Sequence, residues 1–233
     1  MHDGYQEKVM KRKILAAGIC GLMLSTPVSA SILDFNSANL GVSNNQVYNS
    51  VGMSVDGINL SITAYTITSN GSGAISALTQ VTGSDLGVDV RNNDGGSLGV
   101  KSSLKRDSVL LDGHFGDEGL LFNFDQQVRL DFIDFDNFGV NPGDHFNLTV
   151  DGATLLSNFN SSDSSIYAAS TAGSEDEFNF YNLTGSEFLF WAYHDDDQFR
   201  IDRMEVSAVA EPALLSLFSL GFAGLFLSAK LRK

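Results

Sequence analysis

Short segments in which apolar and polar residues alternate run through the central part of the chain. Residues 58–65 and 146–150 are clear examples, and the second is followed by the turn dipeptide Asp151-Gly152. A period of two is typical of a strand that buries one face. Between residues 31 and 209 no stretch has a convincing helical period of 3.6 residues. We therefore predict an all-β body.

Strand spacing and parity refine this prediction. About ten strands at intervals of roughly 8–12 residues predict one domain, residues 31–209, with an antiparallel β-sandwich of jelly-roll type. In residues 122–132 the alternation predicts inward side chains at Phe122, Val128 and Phe132, among others. Residues 188–193 are apolar on both faces, which predicts a strand covered on each side. Phe199 and Ile201 lie at odd positions, whereas Met204 and Val206 lie at even positions, so a regular strand would bury only one of the two pairs. A β-bulge near Asp202-Arg203 would keep both pairs buried.

The first 30 residues have the features of a secretory signal peptide. Lys8–Lys13 supply the positive region, Ile14–Leu24 the apolar region, and Val28-Ser29-Ala30 a site for cleavage after Ala30. A permanent anchor is the alternative, but the apolar run is short for a membrane span. Translation could start at Met1 or at Met10. Cleavage would remove Cys20, the only cysteine, so the exported chain would have no disulfide.

The last 24 residues, 210–233, form a second terminal segment. Glu211-Pro212 is followed by 17 apolar or small residues, 213–229, and then by a basic end, Lys230–Lys233. As a helix, 17 residues reach about 26 Å, close to the thickness of a bilayer core. Pro212 suits the first turn of such a helix, and the basic end favours the cytoplasmic side. The pattern predicts a C-terminal transmembrane helix, whether as a sorting signal or as a plain anchor.

This tripartite end resembles the PEP-CTERM sorting signal. The usual Val-Pro-Glu-Pro opening appears here as Val209-Ala210-Glu211-Pro212. The resemblance implies an inner-membrane-anchored precursor that an exosortase-type enzyme processes near Glu211 and Pro212. It also implies a structural or adhesive role at the cell surface or outside the cell, in a bacterium that makes exopolysaccharide. Short motifs of the body, such as Asp117–Phe122 and Asp197–Ile201, are similar to those of sandwich domains that precede this tail.

Charge excludes one class of partner. The chain has a formal charge of −14, but residues 31–211 contain seven basic and 26 acidic side chains, a net of −19. Such a body repels phosphate backbones, so nucleic-acid binding is not expected.

Catalytic motifs are absent from the sequence. After Ala30 the histidines are His114, His145 and His194, and none lies in a nucleophile elbow or a zinc-binding helix motif. Phosphate-binding and dinucleotide-binding loops are absent too. We therefore predict a protein that is not an enzyme.

Clustered carboxylates make calcium the predicted cation. Asp134 and Asp136 share one side of a strand, and Asp144 returns across the following loop, so their oxygens could converge on a hard cation. Asp195–Asp197 is a second candidate. Neither matches an EF-hand loop. The alternative is that these are solvated turn residues that hydrogen-bond to the backbone.

Aromatic residues suggest a second functional hypothesis, a calcium-dependent carbohydrate-binding module. Tyr167, Phe180 and Tyr181 lie in or near the most polar stretch, residues 157–177, and are predicted to be exposed. Trp191 is flanked by Leu189 and Phe190, which predicts a place in the core. Only analogy between folds supports sugar binding, because one fold hosts many functions.

Overall fold

The computed structural model describes residues 29–70, 74–91, 96–103, 109–113, 116–139, 143–172, 176–192 and 194–209. Strands dominate these ranges, which confirms the predicted all-β class. The strands are β1 (Ala30–Asp34), β2 (Gln46–Tyr48), β3 (Ser50–Val55), β4 (Ile58–Ser69), β5 (Ile75–Gln80), β6 (Gly87–Arg91), β7 (Ser97–Lys101), β8 (Leu111–Asp112), β9 (Asp117–Asp136), β10 (Phe146–Val150), β11 (Ala153–Phe159), β12 (Ala168–Ser170), β13 (Glu177–Trp191) and β14 (Gln198–Ala208).

Helix is limited, in the part of the chain that the structure describes, to the single turn α1 (Ser37–Leu40). Asn36 caps this turn, because its side chain accepts a hydrogen bond from the Asn39 N–H. Over the same ranges, no helix has the length and apolar character needed to cross a membrane. The helices predicted for the signal peptide and for residues 210–233 lie outside the described residues.

Two long strands, β9 and β13, run side by side and connect two halves of one antiparallel sheet. Residues 117–124 of β9 pair with β4, whereas residues 128–136 pair with β14. β13 pairs with β9 along both parts. We call the strands on the β4 side half 1 (β3, β4, β5, β10 and β11) and those on the β14 side half 2 (β1, β2, β6, β7, β8, β12 and β14).

Phenylalanine rings join the two halves in one core. Phe122 on β9 contacts Phe35, which follows β1, with ring centroids 5.5 Å apart. Phe135, at the other end of β9, packs edge-on against Phe190 at 6.0 Å. These rings belong to one buried apolar cluster with members from both halves. Burial of each such side chain contributes about 2 kcal/mol, so the core needs no disulfide to stabilise it.

The alternation predicted for β4 is confirmed, and so is the turn predicted after β10. Ile58, Leu60 and Ile62 are buried, while the residues between them are exposed. The Asp151-Gly152 pair has φ angles of 46° and 82° and joins β10 to β11 as a hairpin. Positive φ at both central positions is typical of the type I′ turns that favour such pairs. β10 itself is buried on both faces.

The β-bulge predicted near Asp202-Arg203 is present. Ile201 lies opposite Phe135 on β9 and Arg203 lies opposite Asp134, so Asp202 is the additional residue. The apolar side chains on either side of the bulge are all fully buried, as predicted: Phe199, Ile201, Met204 and Val206.

Two aromatic residues differ from the prediction. Phe132 is only half-buried, and its neighbour Ile133 takes the core position instead. The β9–β14 pairing has a second irregularity here, because Glu205 lies opposite Phe132 whereas the next residue, Val206, lies opposite Leu130. The alternation of inward and outward side chains along β9 therefore shifts by one residue. Phe180, predicted to be exposed, is buried in the core.

The first and last strands of the described body are neighbours. β1 pairs antiparallel with the end of β14, where Ala30 lies opposite Ser207 and Asp34 lies opposite Arg203. Leu33 points into the core and is fully buried. The described body therefore begins and ends at the same end of the sheet.

Candidate functional site

Two buried aspartates hold the loops before β10 and before β14 against each other. Asp144 accepts hydrogen bonds from the Gly139 N–H at 3.0 Å and from the Gln198 N–H at 3.3 Å. Asp197 accepts from the His145 N–H and the His194 N–H, each at 2.9 Å. Each carboxylate thus binds the backbone next to the other one. We call Asp144, Asp197 and these four backbone donors the loop clasp.

A histidine connects the loop clasp to the polar loop after β11. The Nδ1 atom of His145 lies 3.4 Å from Asp197 Oδ1, and its Nε2 atom lies 3.0 Å from Asn160 Nδ2. The Asn160 side-chain oxygen accepts hydrogen bonds from the Ser162 N–H and hydroxyl, so its NH₂ group is left to donate to His145. Nε2 of His145 is then the acceptor, whereas its Nδ1 atom is buried and makes no hydrogen bond to any described residue.

A second cluster of carboxylates surrounds Arg203 on β14 and includes residues of β9 and β13. The Arg203 Nε atom is 3.1 Å from Asp134 Oδ2, and its Nη2 atom donates to Glu177 Oε1 at 3.4 Å. The guanidinium carbon also lies 5.3 Å from the centre of the Phe132 ring. We call Asp134, Asp202, Arg203 and Glu177 the crowded acidic group, because one arginine faces several carboxylates.

Burial and like charge raise two pKa values in this group. Burial raises the pKa of Asp134 to about 6, and nearby Glu177 adds to the rise while Arg203 opposes it. Burial likewise raises the pKa of Asp202 to about 6, with further contributions from the negative charges of Asp134 and Asp34. Both carboxylates are therefore held in a site that disfavours their charged form.

The structure does not bring the three predicted calcium ligands together. Asp134 binds Arg203, Asp136 accepts a hydrogen bond from the Ser97 hydroxyl at 3.1 Å, and Asp144 belongs to the loop clasp. In the ranges that the structure describes, no group of three or more His, Cys, Asp or Glu side chains is arranged to hold a metal ion. In the second candidate, Asp195–Asp197, the first two residues are exposed and the third binds backbone amides.

Sequence reasoning missed a buried ion pair between Arg200 and Asp89. Arg200 Nη1 lies 3.1 Å from Asp89 Oδ2, and its other donors bind the Ser97 hydroxyl and backbone carbonyls, including that of Val109. Burial lowers the pKa of Arg200, although Asp89 opposes this. The position of an arginine between Phe199 and Ile201 in an apolar strand was the available signal. Its partners are about 100 residues away in sequence, so they could not be inferred.

The aromatic predictions have mixed outcomes. Trp191 is fully buried, as predicted, and Tyr181 is 47% exposed. Tyr167 is half-buried against the core, and Phe180 is part of it. Of the two rings predicted to be exposed at Phe180-Tyr181, only the ring of Tyr181 is therefore exposed.

Of the predicted processing residues, only Ala30 is described. It is the exposed first residue of β1. Glu211 and Pro212 lie outside the described residues. Comparison with protein-family models, curated proteins and solved structures gave no match to this chain.

Proposed function

We propose that this chain is an exported protein without enzymatic activity that acts at the cell surface or in the extracellular matrix. An exosortase-type enzyme sorts it through residues 210–233, after a stage in which the precursor is held in the inner membrane. The observation that carries the proposal is the pairing of Ala30 with Ser207. Ala30, the residue before the predicted N-terminal cut, thus lies beside Ser207, four positions before Glu211.

This arrangement suits processing at a membrane. A signal peptidase and a membrane-embedded sorting enzyme both act at the bilayer. With Ala30 beside Ser207, one orientation of the body satisfies both. The loop clasp lies near Gln198, at the other end of β14, roughly 30 Å along the strand from Ala208. The loops that could contact other molecules therefore face away from the membrane.

The body itself fits a structural role. We infer that halves 1 and 2 form an antiparallel sandwich of jelly-roll type, because both halves contribute to one core. Its 26 acidic and seven basic side chains favour solubility in a hydrated exopolysaccharide matrix and oppose binding to nucleic acid. The calcium-dependent carbohydrate-binding module is not advanced, because the predicted calcium ligands bind separate protein partners.

Substitution of the processing residues tests the proposal in the producing bacterium. The double variant Glu211→Gln/Pro212→Ala should accumulate in the inner-membrane fraction, and the released fraction should fall at least tenfold. The matched control is Glu187→Gln, at an exposed glutamate of the body, which should be released like the wild type. Unchanged release of the double variant, or a wild-type chain that stays in the cytosol, would refute the proposal.

A further inference from the structure

The predicted signal-peptide cut coincides with the start of the packed part of β1. Ala30 is exposed, whereas Ser31 is only 3% exposed and is the first inward-facing residue of the strand. The Phe35 N–H donates to the Asp202 carbonyl at 3.1 Å, and the β1–β14 register is regular from there to Ala30. Because bonded pairs alternate along an antiparallel ladder, Ser31 and Val206 form its last bonded pair, and the backbone groups of Ala30 point away from β14. Hydrolysis after Ala30 therefore removes no hydrogen bond of this ladder.

A carboxylate without a basic partner lies beside Ser31. The Ser31 hydroxyl donates a hydrogen bond to Asp56 Oδ2 at 3.0 Å. Asp56 belongs to the exposed two-residue turn, Asp56-Gly57, that joins β3 to β4. Among the residues that the structure describes, no lysine or arginine forms an ion pair with Asp56. Its negative charge is therefore available to a cation at the start of β1.

Hydrolysis after Ala30 creates a cation at this position. Water adds across the Ala30–Ser31 amide, which leaves a carboxylate on the released peptide and an amino group on Ser31. An α-amino group is mostly protonated at neutral pH. Its nitrogen is three covalent bonds from the Ser31 hydroxyl oxygen, so it lies within about 7 Å of the carboxylate oxygen that this hydroxyl contacts. Opposite charges a few ångströms apart stabilise each other's charged form.

We propose that Asp56 binds the α-ammonium group of the processed chain, so that removal of the signal peptide creates an ion pair between β1 and the β3–β4 turn. This inference rests on the proposed function, because it needs a cut after Ala30. One proton of the ammonium group continues to donate to the Val206 carbonyl, and the other two are free to reach Asp56 and water. Since β1 belongs to half 2 and the turn to half 1, the ion pair joins the two halves where the processed chain begins.

The other charged groups near the start of β1 are bound elsewhere or face away from it. Arg129 and Asp131 form an ion pair on the outer face of the sheet, opposite the buried side chains of β9. Glu205 on β14 lies on the same outer face, because the residues on either side of it are buried. Asp125 on β9 accepts two hydrogen bonds from the first residues of β4. Asp56 is thus the carboxylate that contacts the start of β1 from the side of its buried positions.

The pKa of the α-amino group tests the proposal on the protein isolated from the producing cells. Competitive acetylation, followed by mass spectrometry of the N-terminal peptide, measures this pKa. In a chain that begins at Ser31 it should exceed the ordinary value of about 7.7 by about 0.5 or more. Asp56→Asn should remove the rise, because asparagine suits the turn and can accept from the Ser31 hydroxyl but carries no charge. The matched control is Asp85→Asn, at another exposed aspartate with a positive φ angle, which should leave the pKa raised.

Stability after acetylation gives an independent measurement. Selective acetylation of the α-amino group near pH 7 removes its charge, so it should lower the urea midpoint of the wild type but not that of Asp56→Asn. Asp56→Gly, which also suits a positive φ angle, should behave like Asp56→Asn.

Four results would overturn the proposal: an ordinary α-amino pKa in the wild type, a pKa that stays raised in Asp56→Asn, equal effects of acetylation on the wild type and Asp56→Asn, or a processed chain that begins at another residue. An ordinary pKa in a chain that begins at Ser31 would refute the ion pair and leave the sorting proposal intact. A chain that begins at another residue would also contradict the predicted cleavage site.

Discussion

The loop clasp and the crowded acidic group contain the same kind of side chain in opposite situations. In the loop clasp, Asp144 and Asp197 are almost fully buried, but each accepts two backbone N–H groups. In the crowded acidic group, Asp134 and Asp202 are less buried, yet their pKa values rise to about 6. A buried carboxylate is thus tolerated when donors are aimed at it, and it is costly when burial and neighbouring carboxylates both disfavour its charge.

This difference predicts opposite effects on stability when the aspartates of the two groups are substituted. Substitution in the loop clasp should destabilise the fold, because partly buried backbone donors lose their acceptor. Removal of charge from the crowded acidic group should stabilise the fold, because a partly buried charge is removed and repulsion between carboxylates is relieved. Opposite signs of the change in the free energy of unfolding are the clearest way to distinguish them.

The largest effect is expected for Asp197→Ala. This change leaves the His145 and His194 N–H groups without their acceptor and should lower the free energy of unfolding by about 3 kcal/mol. Urea unfolding followed by fluorescence of Trp191 measures it. The matched control is Asp196→Ala, at the exposed neighbour, which should change stability by less than about 0.5 kcal/mol. Equal effects of the two changes would contradict the loop clasp.

A smaller effect is expected for the coupling between Asp144 and Asp197. Each carboxylate fixes the loop that contains the other, so the two substitutions to alanine should not be additive. A double-mutant cycle should give an interaction energy of about 1–2 kcal/mol. Additive losses would show that the two aspartates act independently.

For Asp202→Asn the expected change has the opposite sign. Asparagine keeps the size of the side chain but removes a negative charge beside Asp134 and Asp34. The free energy of unfolding at about pH 7 should rise by about 1 kcal/mol. Urea unfolding again measures the change, and a loss of stability would contradict the account of the crowded acidic group. Asp134→Asn should raise the free energy of unfolding by less, because it also weakens the ion pair with Arg203.

The smallest expected effect is a pH dependence of stability. The pKa of Asp202 is raised in the folded state, so the folded protein binds more protons than the unfolded one between about pH 4 and 6. The contribution of this group to stability should therefore rise by about 1 kcal/mol as the pH falls from about 7 to 5. Asp202→Asn should remove that part of the slope. A slope that is unchanged in the variant would contradict the raised pKa.

Local features of the fold could be predicted from the sequence, whereas contacts between distant loops could not. The parity change in β14 predicted the bulge, because apolar side chains on both sides of Asp202 had to be buried. The Asp151-Gly152 turn was predictable because few dipeptides accept positive φ at both positions. Phe132 was misplaced because an irregular register shifted the alternation by one residue.

The candidate site was predictable only in part, for a physical reason. Clustered aspartates were visible in the sequence, but their partners were not. Asp144 and Gln198 are 54 positions apart, and their contact depends on how two loops meet at the end of the sheet. Whether a carboxylate binds an amide, an arginine or a cation is decided by such distant contacts.

The intact mass of the protein recovered from the cell surface or the culture medium tests the central proposal most directly. We expect a chain that begins at Ser31 and has lost the residues after the Glu211-Pro212 region. A chain that retains Lys230–Lys233 in the membrane, or one that keeps residues 1–30 in the cytosol, would contradict it.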